Sequence, residues 1–157
     1  MYKRILNPWV GQEEYNCFGC SPDNPIGLHL QFWAEGETVM GRWEPGTNYE
    51  GWKGVVHGGI QTTMMDEAAG WWVSYNRQIA GVTSKLEVKF HKPVRVCDGT
   101  ITLKVSHIKD LRSYVVLRIE LFNGKDELCS TGEFTFFQYG KDISESEFSF
   151  KPFLLED

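Results

Sequence analysis

The segment Val55-Val56-His57-Gly58-Gly59-Ile60-Gln61-Thr62-Thr63-Met64-Met65-Asp66-Glu67 concentrates the groups of this chain that could do chemistry. Two glycines opening a helix leave its first N–H groups bare, at the positive end of the helix dipole. A carbonyl oxygen that gains negative charge during acyl transfer is stabilised at such a place. A carboxylate further along the helix can activate water as a general base or attack the carbonyl itself. Asp66 fits that role, with Glu67 as its rival. Met64, Met65, Ala68 and Ala69 surround the pair, and a carboxylate in apolar company needs a reason to be there. The plainer readings are close helix–sheet packing for Gly58-Gly59 and a solvated helix position for Asp66. His57 reads more readily as an orienting group in the loop than as a general base.

Spacing adds a constraint. Gly58 and Asp66 are eight positions apart, which at ~1.5 Å per residue is roughly 12 Å along the helix axis. One carbonyl cannot meet both within a single chain. If both act on one group, they come from two subunits whose helices run antiparallel, which asks for a two-fold dimer.

The elements that must position these residues follow from periodicity. Ile60, Met64, Ala68, Trp71 or Trp72, and Tyr75 recur at helical spacing, predicting one long helix from His57 to about Gln78. Before it, Leu28–Ala34 and Thr38–Trp43 alternate as a strand pair around Glu35-Gly36-Glu37, and Pro45–Gly54 is loop. After it come strands at Val82–His91, Thr100–His107, Tyr114–Phe122 and Glu127–Tyr139, the last two joined by a hairpin turn at Asn123-Gly124. Residues 1–27 are an arm or short helix followed by a turn-rich loop, and residues 141–157 are a tail without a clear pattern. The body, residues 28–140, is α+β: a single helix whose apolar face only a curved antiparallel sheet can cover.

Composition narrows the function classes. The chain has 157 residues, 41% hydrophobic and 24% charged, which suits one domain able to fold without disulfides or metals. Its net charge of −5 lacks the basic footprint of a nucleic-acid binder. No apolar run reads as a signal peptide or membrane span, so the four cysteines are expected to be reduced, in cytoplasm. Cys17-x2-Cys20 could be half of a zinc site, but no second Cys-x2-Cys and no spaced His pair follows. A tight turn with packed thiols is the preferred reading, so neither a metal nor a cofactor is expected. His29, His91 and His107 read as surface or packing residues on strands.

The block His57-Gly58-Gly59-x6-Asp66-Glu67, then Thr83-Ser84-Lys85-Leu86-Glu87-Val88-Lys89-Phe90 and Lys92-Pro93-Val94, resembles the hotdog-fold acyl-CoA thioesterases, nearest to the phenylacetate-pathway and 4-hydroxybenzoyl-CoA group. The resemblance runs from about Leu28 to Tyr139. Upstream, Cys17-Phe18-Gly19-Cys20 with Asn24-Pro25-Ile26-Gly27-Leu28 looks like an uncharacterised bacterial branch of that superfamily. The resemblance implies a hotdog fold and hydrolysis of an acyl-CoA or acyl-carrier thioester by a homodimer or dimer of dimers. It implies Asp66 as the catalytic carboxylate, Gly58 N–H polarising the carbonyl with Gly59 beside it, His57 fixing the loop, and Thr83 positioning water. Lys85, Lys89 and Lys92 would approach the CoA phosphates. Where several members carry Asn or Gln, this chain has Gly51, so Glu50 or Asn48 takes that role or the branch does without it. Two competing functions are a non-catalytic acyl-CoA binder and a hotdog dehydratase or hydratase.

Overall fold

A computed structural model describes residues 1–157. The elements run β1 (Lys3–Arg4), β2 (Gln31–Glu35), β3 (Thr38–Trp43), α1 (Gly58–Arg77), β4 (Gly81–Phe90), β5 (Ile101–Leu111), β6 (Tyr114–Phe122), β7 (Leu128–Gln138) and α2 (Lys141–Phe148), with 3-10 turns at Thr47–Tyr49 and Val96–Asp98. The strands form one antiparallel sheet in the order β1-β2-β3-β5-β6-β7-β4. It curves around α1, which touches β3 to β7.

The helix lies there because its apolar side has nowhere else to go. Met64, Met65, Ala68, Ala69, Trp72 and Val73 are buried in one core with Val39, Leu103, Val105, Leu117, Ile119 and Phe134. Each of the larger side chains gains roughly 1.5–3 kcal/mol from leaving water. The helix ends where Gln78 turns left-handed (φ 53°) and donates its N–H to Ser74 O at 3.1 Å. The Gln78 side chain then clamps the C-terminal tail: Nε2 donates to Phe153 O at 3.0 Å, and Phe153 N–H donates to Oε1 at 3.1 Å.

Arm and tail share the core of the body. Ile5 and Phe153 are buried in it, and the two segments are bonded through Leu6 N–H to Leu154 O (2.8 Å) and Glu156 N–H to Arg4 O (2.9 Å). The arm holds turns and the short β1 but no α-helix, and the tail, patternless in sequence, forms α2. Two strand limits shift for local reasons. Leu28–Ala34 becomes extended only at Gln31, because His29 takes a left-handed conformation (φ 56°) and its Nε2 lies 2.6 Å from Asn24 O. β5 runs on to Leu111, past a bulge between His107 and Lys109. The β6–β7 connection is longer than an Asn-Gly turn. The Asn123 side chain is buried and organises residues 123–127, accepting from Lys125 N–H at 2.9 Å and Glu127 N–H at 3.0 Å.

Strand β4 ends the sheet with no partner on its outer side. Its alternating apolar residues stay open: Val82, Leu86 and Phe90 are 37%, 42% and 54% exposed. A long apolar edge strand is a surface for pairing with another chain. No helix is long and apolar enough to cross a membrane.

Candidate active site

His57 caps α1 with its own ring, Nδ1 accepting the Gly59 N–H at 2.9 Å. A nitrogen that accepts from an amide carries no proton, so the neutral imidazole holds its proton on Nε2. Gly59 is what admits this cap, since a Cβ there would sit 3.0 Å from His57 Nδ1. The Gly58 N–H, one residue earlier, has no acceptor anywhere in the chain. It is a bare donor at the positive end of a 20-residue helix.

The loop before the helix is pinned from below. Gln61 is 4% exposed; its Nε2 donates to Val56 O at 3.2 Å, and its Oε1 accepts from Ser130 Oγ at 3.0 Å. A cleft of about 660 Å³ opens here, lined among others by His57, Gly58, Gln61, Trp52, Phe90 and Lys92. Gln61 and His91 also belong to it, though neither stood out in the sequence as a site residue. His91 sits just past β4, its Nε2 2.9 Å from Thr131 Oγ1. Their signal is tertiary: a Gln in the first turn of a helix carries no mark of burial until β7 is laid beneath it.

Asp66 lies elsewhere on α1, half-buried, accepting a hydrogen bond from the Thr83 hydroxyl. Burial pushes its carboxyl above the usual range, and the Thr83 bond offsets part of that rise. A β-bulge between Thr83 and Lys85 interrupts the β4–β7 ladder where this contact is made. Neither Asp66 nor Thr83 lines the cleft at Gly58 within one chain.

Glu67, one residue on, is rotated about 100° around the helix and faces the N-terminal arm. Its Oε1 accepts from Trp71 Nε1 at 3.0 Å and from Cys17 Sγ at 3.5 Å. The rival acid is therefore away from both Asp66–Thr83 and the cleft. Glu50 and Asn48 do not line the cleft either, whereas Gly51 does, with the position of a Cβ 3.4 Å from His57 Cδ2. Of the three lysines, only Lys92 reaches the cleft, and it is paired with Glu127. Lys89 borders a separate small hollow with Glu87 and Arg118, and Lys85 is exposed on β4.

Comparison with known proteins agrees with this architecture. The sequence model of the Thioesterase superfamily matches residues 53–130, close to half of the chain and the part that holds the cleft and Asp66. A curated relative from Saccharolobus solfataricus, named "Putative esterase SSO1253", is 29% identical over 97 residues, 61% of this chain. That alignment spans 63% of the relative, less than two thirds of its length. Among solved structures, the thioesterase superfamily protein RHA08564 superposes with a TM-score of 0.70 at 20% identity, over 77% of this chain and 59% of that one. A Streptococcus pneumoniae structure described as a hypothetical thioesterase with coenzyme A superposes with a TM-score of 0.61 at 21% identity, over 66% of this chain and 82% of that one. With the curved sheet and the single long helix together, the chain has the hotdog fold of these solved structures, and over residues 53–130 it is similar to the thioesterase superfamily.

Proposed function

We propose that this protein hydrolyses an acyl thioester of the CoA type at a site shared by two copies of the chain. The observation that carries the reading is the free Gly58 N–H at the mouth of α1, opening on a cleft of about 660 Å³. A thioester carbonyl accepts this hydrogen bond. As the carbonyl carbon becomes tetrahedral, the growing negative charge on oxygen strengthens the bond, a contribution of about 2.7–4 kcal/mol for one such donor.

Asp66 of the partner subunit removes a proton from water. The water oxygen bonds to the carbonyl carbon, the tetrahedral centre collapses, and the C–S bond breaks to release a thiolate and a carboxylic acid. A carboxylate raised above its usual range by burial is the stronger proton acceptor. That favours general-base action, typically worth about 10²–10⁴ in rate, over direct attack. Single turnover in ¹⁸O-water separates general-base action from direct attack followed by water opening the mixed anhydride at the Asp66 carboxyl carbon, since the latter first places an Asp66 oxygen in the acid product.

Two further observations support the shared site. Gly58 and Asp66 serve different places in one chain, and the open apolar edge of β4 offers a surface on which a second copy can pair. Thr83 orients the Asp66 carboxylate, His57 and Gly59 hold the helix mouth open, and Lys92 at the cleft rim is the lysine placed to meet a phosphate. The S. pneumoniae thioesterase was solved with coenzyme A, and also as alanine variants of one aspartate and of one threonine. The same two residue types meet here as Asp66 and Thr83.

The test is thiol release from short, medium and aryl acyl-CoAs by the wild type and Asp66→Asn. Hydrolysis that the substitution lowers by at least about a hundredfold supports the reading. Acyl-CoA binding without release, or hydration of an enoyl thioester with no thiol freed, overturns it.

A further inference from the structure

About 100° around α1 from Asp66, where Glu67 faces the arm, the turn Cys17-Phe18-Gly19-Cys20 brings two thiols together. The Cys17 and Cys20 sulfurs lie 3.3 Å apart, Cys20 N–H donates to Cys17 Sγ at 3.4 Å, and Ser21 N–H closes the turn on Cys17 O at 3.1 Å. Glu67 comes down onto this turn from the helix, and its carboxylate and the two sulfurs all lie within 4.8 Å of one another. The approach depends on Gly19, because a Cβ there would lie 2.5 Å from the Glu67 carboxyl carbon. Trp71 fixes the carboxylate from outside by donating its indole N–H, and no cationic side chain pairs with Glu67. Cys20 is 7% exposed, and a cavity of about 580 Å³ between the arm, α1 and the segment after α2 opens onto the cluster.

We propose that Cys17, Cys20 and Glu67 bind a divalent ion of the zinc type, tying the N-terminal arm to α1. Sulfur and carboxylate ligands on a short Cys-x2-Cys turn suit zinc. Tetrahedral bonding at about 2.3 Å to sulfur asks the two sulfurs to separate to about 3.8 Å, a small widening from 3.3 Å. Binding displaces two thiol protons, leaving two thiolates and one carboxylate around the dication, a net charge of −1. The fourth position falls to the Tyr15 hydroxyl, 3.0 Å from Cys20 Sγ, or to a water from the cavity. An outer hydrogen bond such as that from Trp71 orients the carboxylate ligand. The third ligand is 50 residues from Cys17, so no local spacing announces it.

The experiment uses the full chain, purified under reducing conditions, stripped with chelator, and titrated with Zn²⁺ and with Co²⁺. One ion per chain is expected, with thiolate-to-cobalt charge-transfer absorption and a rise in melting temperature. Cys97→Ser, at an exposed cysteine outside the cluster, should leave all three unchanged. The double variant Cys17→Ser, Cys20→Ser should abolish the charge-transfer band. Glu67→Gln should weaken binding, and Trp71→Phe, which loses the indole N–H together with part of a buried ring, should weaken it by at least about tenfold. If the double variant does not fold, the wild-type cobalt spectrum and Glu67→Gln decide. Reduced wild type that takes up neither ion, uptake without the charge-transfer band, or uptake indifferent to Glu67→Gln would overturn the proposal. None of these readouts involves thioester turnover, so the outcome stands apart from that of the catalytic reading.

Discussion

Replacing Gly58 with proline should delete one hydrogen-bond donor and little else. Proline at the first position of a helix costs little, because that N–H has no partner within the helix and the fixed φ of about −65° suits the site. The Gly58 N–H is indeed free, and His57, at φ −57° and ψ 135°, already has the conformation that a residue before proline prefers. A Cβ at position 58 would touch Phe90 Cζ at 3.4 Å, ordinary contact, so Gly58→Ala is a fair control that keeps the N–H. Losing one oxyanion donor costs about 10²–10³ in kcat. Thiol release should therefore fall by that factor in Gly58→Pro and by only a few-fold in Gly58→Ala, with melting temperatures close to wild type.

The same variant tests whether the site is shared. In a random mixture with Asp66→Asn, half the dimers are mixed. Each mixed dimer holds one site with both wild-type groups and one with neither. About a quarter of wild-type activity should return for a two-fold dimer, from two stocks that are each nearly inactive. Equal activity of the proline and alanine variants would refute the role given to the Gly58 N–H. Proline and asparagine stocks that are inactive alone and stay inactive after verified subunit exchange would refute the sharing.

Asp66→Asn should also separate stability from function. A carboxyl whose folded pKa lies above its unfolded value holds its proton more tightly in the native state. Its presence costs nothing below pH 3.8, where both states are protonated, and lowers stability progressively as pH rises toward and through the folded value. The variant should thus melt above wild type at neutral pH, with the gap closing in acid; a lower melting temperature at pH 7 would contradict the burial argument. Thr83→Val removes the one bond that lowers the Asp66 pKa, so the acid limb of the kcat/KM profile should move to higher pH, and an unmoved limb counts against Thr83 as the positioning group. Asn123→Ala strips two backbone N–H groups of their acceptor in the β6–β7 loop and should cost about 1–3 kcal/mol in denaturant unfolding without changing KM.

What could be read from the chain was what repeats or sits locally. The period of Ile60, Met64, Ala68 and Tyr75 placed α1 to within a residue at each end, and Tyr114–Phe122 came out with the limits of β6. The helix mouth was legible because Gly-Gly after a capping residue is itself a local pattern. Departures arose where a side chain overrode the local tendency. The αL turn at His29 delays β2, and Asn123 builds a loop where a two-residue turn was expected. Tertiary neighbours lay out of reach: Gln61 beneath the loop, His91 beside the cleft and the tail folded onto Trp9 and Trp71 depend on strands remote in sequence.

Asp66 and Glu67 show why adjacency in sequence is a poor guide to shared duty on a helix. A step of about 100° sends one carboxylate to the sheet edge and the other to the arm. On the edge side Asp66 meets only the Thr83 hydroxyl, and burial with one neutral donor leaves a proton acceptor. On the arm side Glu67 meets two thiols and an indole N–H and has no cationic side chain beside it. The two acids are nonetheless joined by one peptide bond in a well-packed turn of α1, flanked by Met64, Met65, Ala68 and Ala69, all fully buried. If Glu67 holds an ion against the arm as proposed, the arm is tied to the same turn of α1 that carries Asp66.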